Sequence, residues 1–199
     1  EPPTLEELEM IKSKTVLISA LQLKTRQKSY FEALAKKKIT ALAFEFIKDE
    51  DHSYPAVKAL SEIAGTASVL IAAELMVNAK KGNGLLFEFA VRSALGLGAN
   101  VKVFDSSITK LRKIQTNVGR ILYTSTVQPK NLMKALRRCD VAIGAVRGLN
   151  RAPIIVTEEM VRNMKKGAVI IDVCVDMGGC FETTEMTSHD ESTFINFNQ

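Results

Sequence analysis

From Glu88 to Asp105 the chain reads EFAVRSALGLGANVKVFD: a helical pattern, a tight glycine turn, and an apolar strand that ends on a carboxylate. Such units recur along the sequence, and this recurrence most limits the fold. The pattern predicts a strand over Thr15–Leu21, a helix over Arg26–Lys37, a strand over Ile39–Ile47 and one long helix over Ala56–Ala79. A second series runs from helix Glu88–Leu97 through strand Asn100–Phe104, helix Ile108–Asn117, strand Arg120–Thr126, helix Pro129–Arg138, strand Val141–Val146, helix Glu158–Lys165 and strand Ala168–Val175. Strands alternating with helices of this length build βαβ units and a parallel sheet covered on both faces. VAIGAV and AVIIDVCV are apolar on both faces, as central parallel strands are expected to be.

The expected fold class is therefore α/β, a doubly wound parallel domain plus part of a second α/β domain. We place the boundary at the long helix, with residues 1–55 as the remainder of the second domain and 56–199 as the doubly wound domain with its connecting helix. No internal repeat or low-complexity stretch interrupts the series.

The helix–strand–carboxylate run is the second half of a dinucleotide-binding βαβ unit. Its first half is not visible. Before Glu88 the sequence reads GNGLLF, with no buried strand and no G-x-G-x-x-G loop. Doubly wound sheets open each half on a strand, because the strand end aims the phosphate loop. We therefore expect a gap between Phe87 and Glu88, where a strand and its mobile glycine-rich loop are missing; the alternative is an unusual fold. The start at Glu1 rather than Met is expected to mark a truncation.

Composition narrows the class. Of the 199 residues, 46% are hydrophobic and 25% charged, ordinary for a globular protein. No uninterrupted apolar run is long enough to span a bilayer, since Gly65 and Glu74 break Ile63–Val77. A net charge of +5 raises nucleic acid as a partner. The basic clusters Lys36–Lys38, Arg137–Arg138 and Lys165–Lys166 instead fall at predicted helix ends, where cations complement the helix dipole. No aromatics interleave them, so no nucleic-acid partner is expected. Three cysteines, Cys139, Cys174 and Cys180, point to reduced thiols and a cytoplasmic location. Cys174 and Cys180 lack metal-ligand spacing and the two histidines lie far apart, so no metal is expected.

Several residues stand where chemistry is expected. Asp105 closes its strand, where a carboxylate accepts ribose hydroxyls and repels a 2′-phosphate, favouring NAD over NADP; the bland alternative is a helix cap. Lys110 and Arg112, about one turn on, either hold a phosphate or solvate the helix. Asp176 is read as ending a buried strand before Gly178-Gly179, facing nicotinamide and substrate; the alternative is a turn aspartate. Gly144-Ala145-Val146 ends a strand facing the same crevice. Ser61, in ALSEIAG, either bonds a phosphate or packs.

The stretches PPTLEELEM, ITALAFEFI, ALSEIAG, ALGLGANVKVFD, DVAIGAV, TEEMVRNMKKGAVIIDVCVDMGG and ETTEMTSHDESTF resemble, in order and over nearly the whole chain, the bacterial alanine dehydrogenases and the related NAD-binding transhydrogenase subunit. The resemblance implies NAD-dependent oxidative deamination of L-alanine to pyruvate and ammonium by a homo-oligomer, typically a hexamer; no membrane partner is expected, because the sequence shows no membrane segment. It implies that Asp105 binds the adenosine ribose with Lys110 nearby, that Ser61 contacts the cofactor phosphates, that Val146 lines the pocket and that Asp176 is the catalytic carboxylate. Departures also show. The family's opening stretch, with its substrate-binding Arg and Lys, is absent. The glycine-rich loop is absent too. Gln22, in SALQLKT, stands where the family has its catalytic histidine; glutamine hydrogen-bonds a carbonyl but exchanges no proton near neutral pH. The rival readings are a transhydrogenase subunit and a catalytically silent NAD-binding homologue.

Overall fold

The computed structural model describes residues 2–23, 26–77, 84–85, 88–146, 151–188 and 190–197. The chain divides into two compact units, residues 1–61 and 62–199.

In the first unit, helix α1 (Leu5–Met10) begins at a capping box. The Thr4 hydroxyl accepts from the Glu7 N–H at 3.2 Å, and the Glu7 carboxylate accepts from the Thr4 N–H at 2.7 Å. This satisfies donors that a helix start leaves unpaired. Strand β1 (Val16–Ser19), helix α2 (Lys28–Lys36) and strand β2 (Thr40–Ala43) follow, with β1 and β2 paired in parallel. Leu8, Leu21, Tyr30 and Leu34 form the core of this unit. The expected strand Ile39–Ile47 ends early, because Phe44–Phe46 turn into a 3₁₀ helix. Lys37 also does something other than expected. Its ammonium donates to the carbonyls of Leu8 at 2.7 Å, Ile11 at 2.8 Å and Glu9. The cation therefore satisfies the C-terminal carbonyls of α1 rather than those of its own helix.

Helix α3 (Pro55–Val77) straddles the two units. By length and composition it is apolar enough to cross a membrane. The helix runs through Gly65 and Glu74, the residues that break the apolar run in the sequence. Its Ser68, Val69 and Ala72 are buried, and Val69 and Ala72 join the core of the second unit.

The second unit holds strands β3 (Gly84–Leu85), β4 (Val101–Asp105), β5 (Tyr123–Thr126), β6 (Val141–Gly144) and β7 (Val169–Asp172). Helices α4 (Glu88–Gly96), α5 (Ile108–Val118), α6 (Pro129–Leu136) and α7 (Glu158–Arg162) alternate with them. The sheet order is β5-β4-β3-β6-β7, and every adjacent pair is parallel. This is the doubly wound order, reversing direction beside the first strand, β3. The strand missing from the sequence pattern is therefore present but two residues long. It is identified by pairing Gly84 with both Val101 and Val141. Phe87 lies outside the described residues, and so does the gap expected after it.

Strand alternation assigns the two faces. Val101, Val103, Val141 and Ile143 pack with α4 and α5 residues such as Val91 and Leu111, whereas Ala142 packs with Leu132, Leu136 and Val161 of α6 and α7. Two expected strands are shorter than their apolar runs. β6 stops at Gly144, where Cys180 and Phe181 pack so closely that a β-carbon would collide with them. β7 stops at Asp172, whose carboxylate folds the next segment back on itself.

Candidate functional site

Ligands of open parallel sheets bind beyond the carboxyl ends of the strands, where the order reverses. In the second unit those ends carry Asp105, Val146 and Asp172, with Asp176 in the turn that follows. Asp105 is the last residue of β4. Its Oδ1 accepts the Ser107 N–H at 2.7 Å, and Oδ2 lies 4.0 Å from Lys110 Nζ. Ser107, not Asp105, is the N-cap of α5, accepting the Lys110 N–H at 3.3 Å. The turn thus aims the Asp105 carboxylate, and the helix begins without using its second oxygen.

Asp176 does not end a strand. It lies four residues beyond β7, exposed, in the 3₁₀ turn Val175–Met177. Gly178 (φ +93°) and Gly179 (φ +70°) complete that turn in the left-handed region, where side chains are strained. Ala152 donates its N–H to Met177 O at 2.8 Å, and Arg151 donates to Gly178 O at 3.2 Å, which fixes the turn's outer edge. Val146 lies just past β6 and donates its N–H to Cys174 Sγ at 3.4 Å, joining the ends of β6 and β7.

The residue that organises this region is Asp172, which sequence reading passed over. Oδ2 accepts from Cys180 N at 2.8 Å, Phe181 N at 3.2 Å and the Thr184 hydroxyl at 2.7 Å. Oδ1 accepts from Cys174 N at 3.1 Å and faces the Cys174 thiol at 3.0 Å and the Cys180 thiol at 3.7 Å. Burial raises the Asp172 pKa, but the hydrogen bonds from Cys174, Thr184, Phe181 and Cys180 outweigh it and hold the carboxyl below its ordinary range. A carboxylate inside an otherwise apolar run, followed by turn glycines, was the available signal. The same anchor gathers Asp172, Cys174 and Cys180 into a cluster whose ligand atoms lie within 4.8 Å of one another, although their spacing led us to expect no metal-ligand set.

In the first unit, β1 and β2 end side by side and their following segments meet. Gln22, with φ of +49°, donates its backbone N–H to Glu45 Oε1 at 2.9 Å. A non-glycine residue held there costs about 1–3 kcal/mol and recurs at functional positions. Ser61, exposed on α3, donates its hydroxyl proton to Val57 O at 2.7 Å, so donating to a phosphate would require giving up that bond.

Whether these residues suit NAD differs along the cofactor's length. The Asp105 carboxylate, aimed by its turn, fits an adenosine ribose. The segment between β3 and α4, where a doubly wound sheet carries its pyrophosphate loop, lies outside the described residues.

Family models match both parts of the chain: the alanine dehydrogenase/PNT C-terminal domain over residues 63–198, and the N-terminal domain over residues 1–64. The chain belongs to the alanine dehydrogenase/PNT family. Alanine dehydrogenase 2 of Staphylococcus aureus is 33% identical over 215 residues, covering 97% of this chain and 58% of its own. That alignment is longer than this 199-residue chain, so at least 16 of its positions (215 − 199) have no counterpart here. Among solved structures, an L-alanine dehydrogenase is 29% identical with a TM-score of 0.88, covering 98% of this chain and 60% of that one. A transhydrogenase from Sinorhizobium meliloti, 22% identical with a TM-score of 0.78 over 92% of this chain and 59% of that one, shares the fold. Members of the alanine dehydrogenase/PNT family are oxidoreductases. This chain spans about three-fifths of the relatives' length.

Proposed function

We propose that this chain is the nucleotide-binding and partial substrate-binding portion of an NAD-linked amino-acid dehydrogenase that interconverts L-alanine with pyruvate and ammonium. The observation that carries the reading is Asp105, at the end of the strand beside β3 in a doubly wound sheet. A bound NAD would supply the acceptor for the hydride of the amino acid's α-carbon. Asp105 accepts hydrogen bonds from the adenosine ribose and disfavours a 2′-phosphate, with Lys110 beside it. Ser61 is proposed to meet the cofactor phosphates and Val146 to line the pocket. Asp176 is the proposed catalytic carboxylate, its exposed position leaving it open to substrate. Gln22 is proposed to hydrogen-bond the substrate carbonyl. We further propose a cytoplasmic homo-oligomer, a hexamer as in the family resemblance, with α3 acting as a connecting helix rather than a membrane span.

A second reading, a nucleotide-binding homologue without turnover, is favoured by Gln22 in place of a histidine. NADH consumption in the presence of pyruvate and ammonium separates the two. Turnover that Asp176→Asn removes, with NADH binding retained, supports the dehydrogenase. NADH binding without turnover in the full-length protein rejects it for the silent homologue.

A further inference from the structure

We propose that Asp172, Cys174 and Cys180 form a binding site for a thiophilic divalent cation of the zinc type. The geometry already resembles a coordination shell. The ligand atoms lie within 4.8 Å of one another, with Asp172 Oδ1 at 3.0 Å from Cys174 Sγ and 3.7 Å from Cys180 Sγ. Two thiolates on one zinc, each at about 2.3 Å, stand about 3.8 Å apart, so the cation enters with small side-chain adjustments. Three protein ligands leave one tetrahedral position for water or another small ligand.

The surroundings are those of a supported metal site. Asp172 Oδ2 is fixed by the Cys180 and Phe181 N–H groups and the Thr184 hydroxyl, which turns Oδ1 toward the sulfurs. Ligating carboxylates are held by outer hydrogen bonds in this way. The Val146 N–H points at Cys174 Sγ, where it stabilises thiolate charge. Gly144, lacking a β-carbon, lets Cys180 and Phe181 approach. Both sulfurs are buried. Binding replaces two thiol protons with one dication, so two thiolates and one carboxylate carry three negative charges against two positive.

A disulfide is the weaker use of the same pair. It needs the sulfurs at about 2.05 Å, and attack by a thiolate, beside an ionised carboxylate. The carboxylate Oδ1 instead faces both sulfurs, at 3.0 Å from Cys174 and 3.7 Å from Cys180, an arrangement that a shared cation uses and a disulfide does not. A metal ion binds by displacing the thiol protons, which makes its affinity depend on pH.

The test titrates the full chain, reduced and without nucleotide, with Zn²⁺ against a chromophoric chelator and with Co²⁺ followed by absorption. The proposal expects one cation per chain, a thiolate-to-cobalt charge-transfer band, and affinity that falls as pH is lowered. Cys174→Ala and Cys180→Ala should each weaken binding more than about 100-fold, beyond the 10–100-fold typical of losing an outer hydrogen bond. Cys139→Ala should bind as the parent does. A Co²⁺ complex without the thiolate band, read on the unaltered protein, overturns the site whether or not the variants fold. Undiminished binding by folded Cys174→Ala and Cys180→Ala chains overturns it as well, as does loss of two thiols to a disulfide with no binding under reduction. The measurement uses no nucleotide, so its failure leaves the dehydrogenase reading untouched.

Discussion

Replacing Asp172 with asparagine keeps the side chain's shape and removes its charge. The amide's best orientation keeps its oxygen at the Oδ2 position, facing the Cys180 and Phe181 N–H groups and the Thr184 hydroxyl. Its NH₂ then faces the Cys174 N–H at the Oδ1 position, where donor meets donor. One partly buried N–H left without a partner costs about 1–3 kcal/mol, and each remaining bond falls from the charge-assisted range of about 1.5–3 kcal/mol to about 0.5–1.5. The low ends of these terms sum to about 4 kcal/mol, and because the carboxylate is only half-buried, solvent screening reduces the expected loss to about 2–3 kcal/mol. Urea unfolding of parent and variant at neutral pH measures it. The folded-state pKa of Asp172 lies below its unfolded value of about 3.9, so its contribution is complete above that value and is lost as pH falls through the folded one. The gap between parent and Asp172→Asn should therefore close in acid. A neutral-pH difference below about 0.5 kcal/mol, within the scatter of ordinary surface changes, refutes the anchoring role. A gap that persists unchanged into strong acid refutes the charge argument.

Gly144→Ala should destabilise the second unit by about 1–3 kcal/mol, because its β-carbon collides with Cys180 and Phe181; thermal unfolding checks this. Leu136→Ala, at a fully buried position between α6 and the sheet, should cost about 2–5 kcal/mol in the same assay. Lys37→Met should fray α1, raising amide exchange over residues 8–11 while leaving the second unit's exchange unchanged, since the ammonium satisfies carbonyls at that end.

The doubly wound architecture was legible because strands alternate with amphipathic helices and the central β6, VAIG, is apolar and buried at every position. β3 was not, because GNGLLF has neither length nor periodicity; only pairing with Val101 and Val141 makes Gly84–Leu85 a strand. Asp105 was legible as a strand-end carboxylate, although the cap of α5 proved to be Ser107. Asp172 was hidden inside IIDVCV, where an apolar run reads as one strand. Its partners at Cys180, Phe181 and Thr184 exist only once the chain folds back. The same folding back brings Cys174 and Cys180 together, a proximity that spacing alone does not encode. Lys37 shows the converse: a basic cluster at a helix end was recognised, but a lysine's long side chain reached the neighbouring helix instead.

The most direct test of the central claim is the binding of NADH and NADPH to the full-length protein and to its Asp105→Asn variant, followed by nucleotide fluorescence. The account predicts that NADH binds more tightly than NADPH and that Asp105→Asn weakens NADH by about tenfold or more, equivalent to about 1.4 kcal/mol, while narrowing the preference over NADPH. Equal affinity for the two nucleotides, or NADH affinity unchanged by Asp105→Asn, would contradict it.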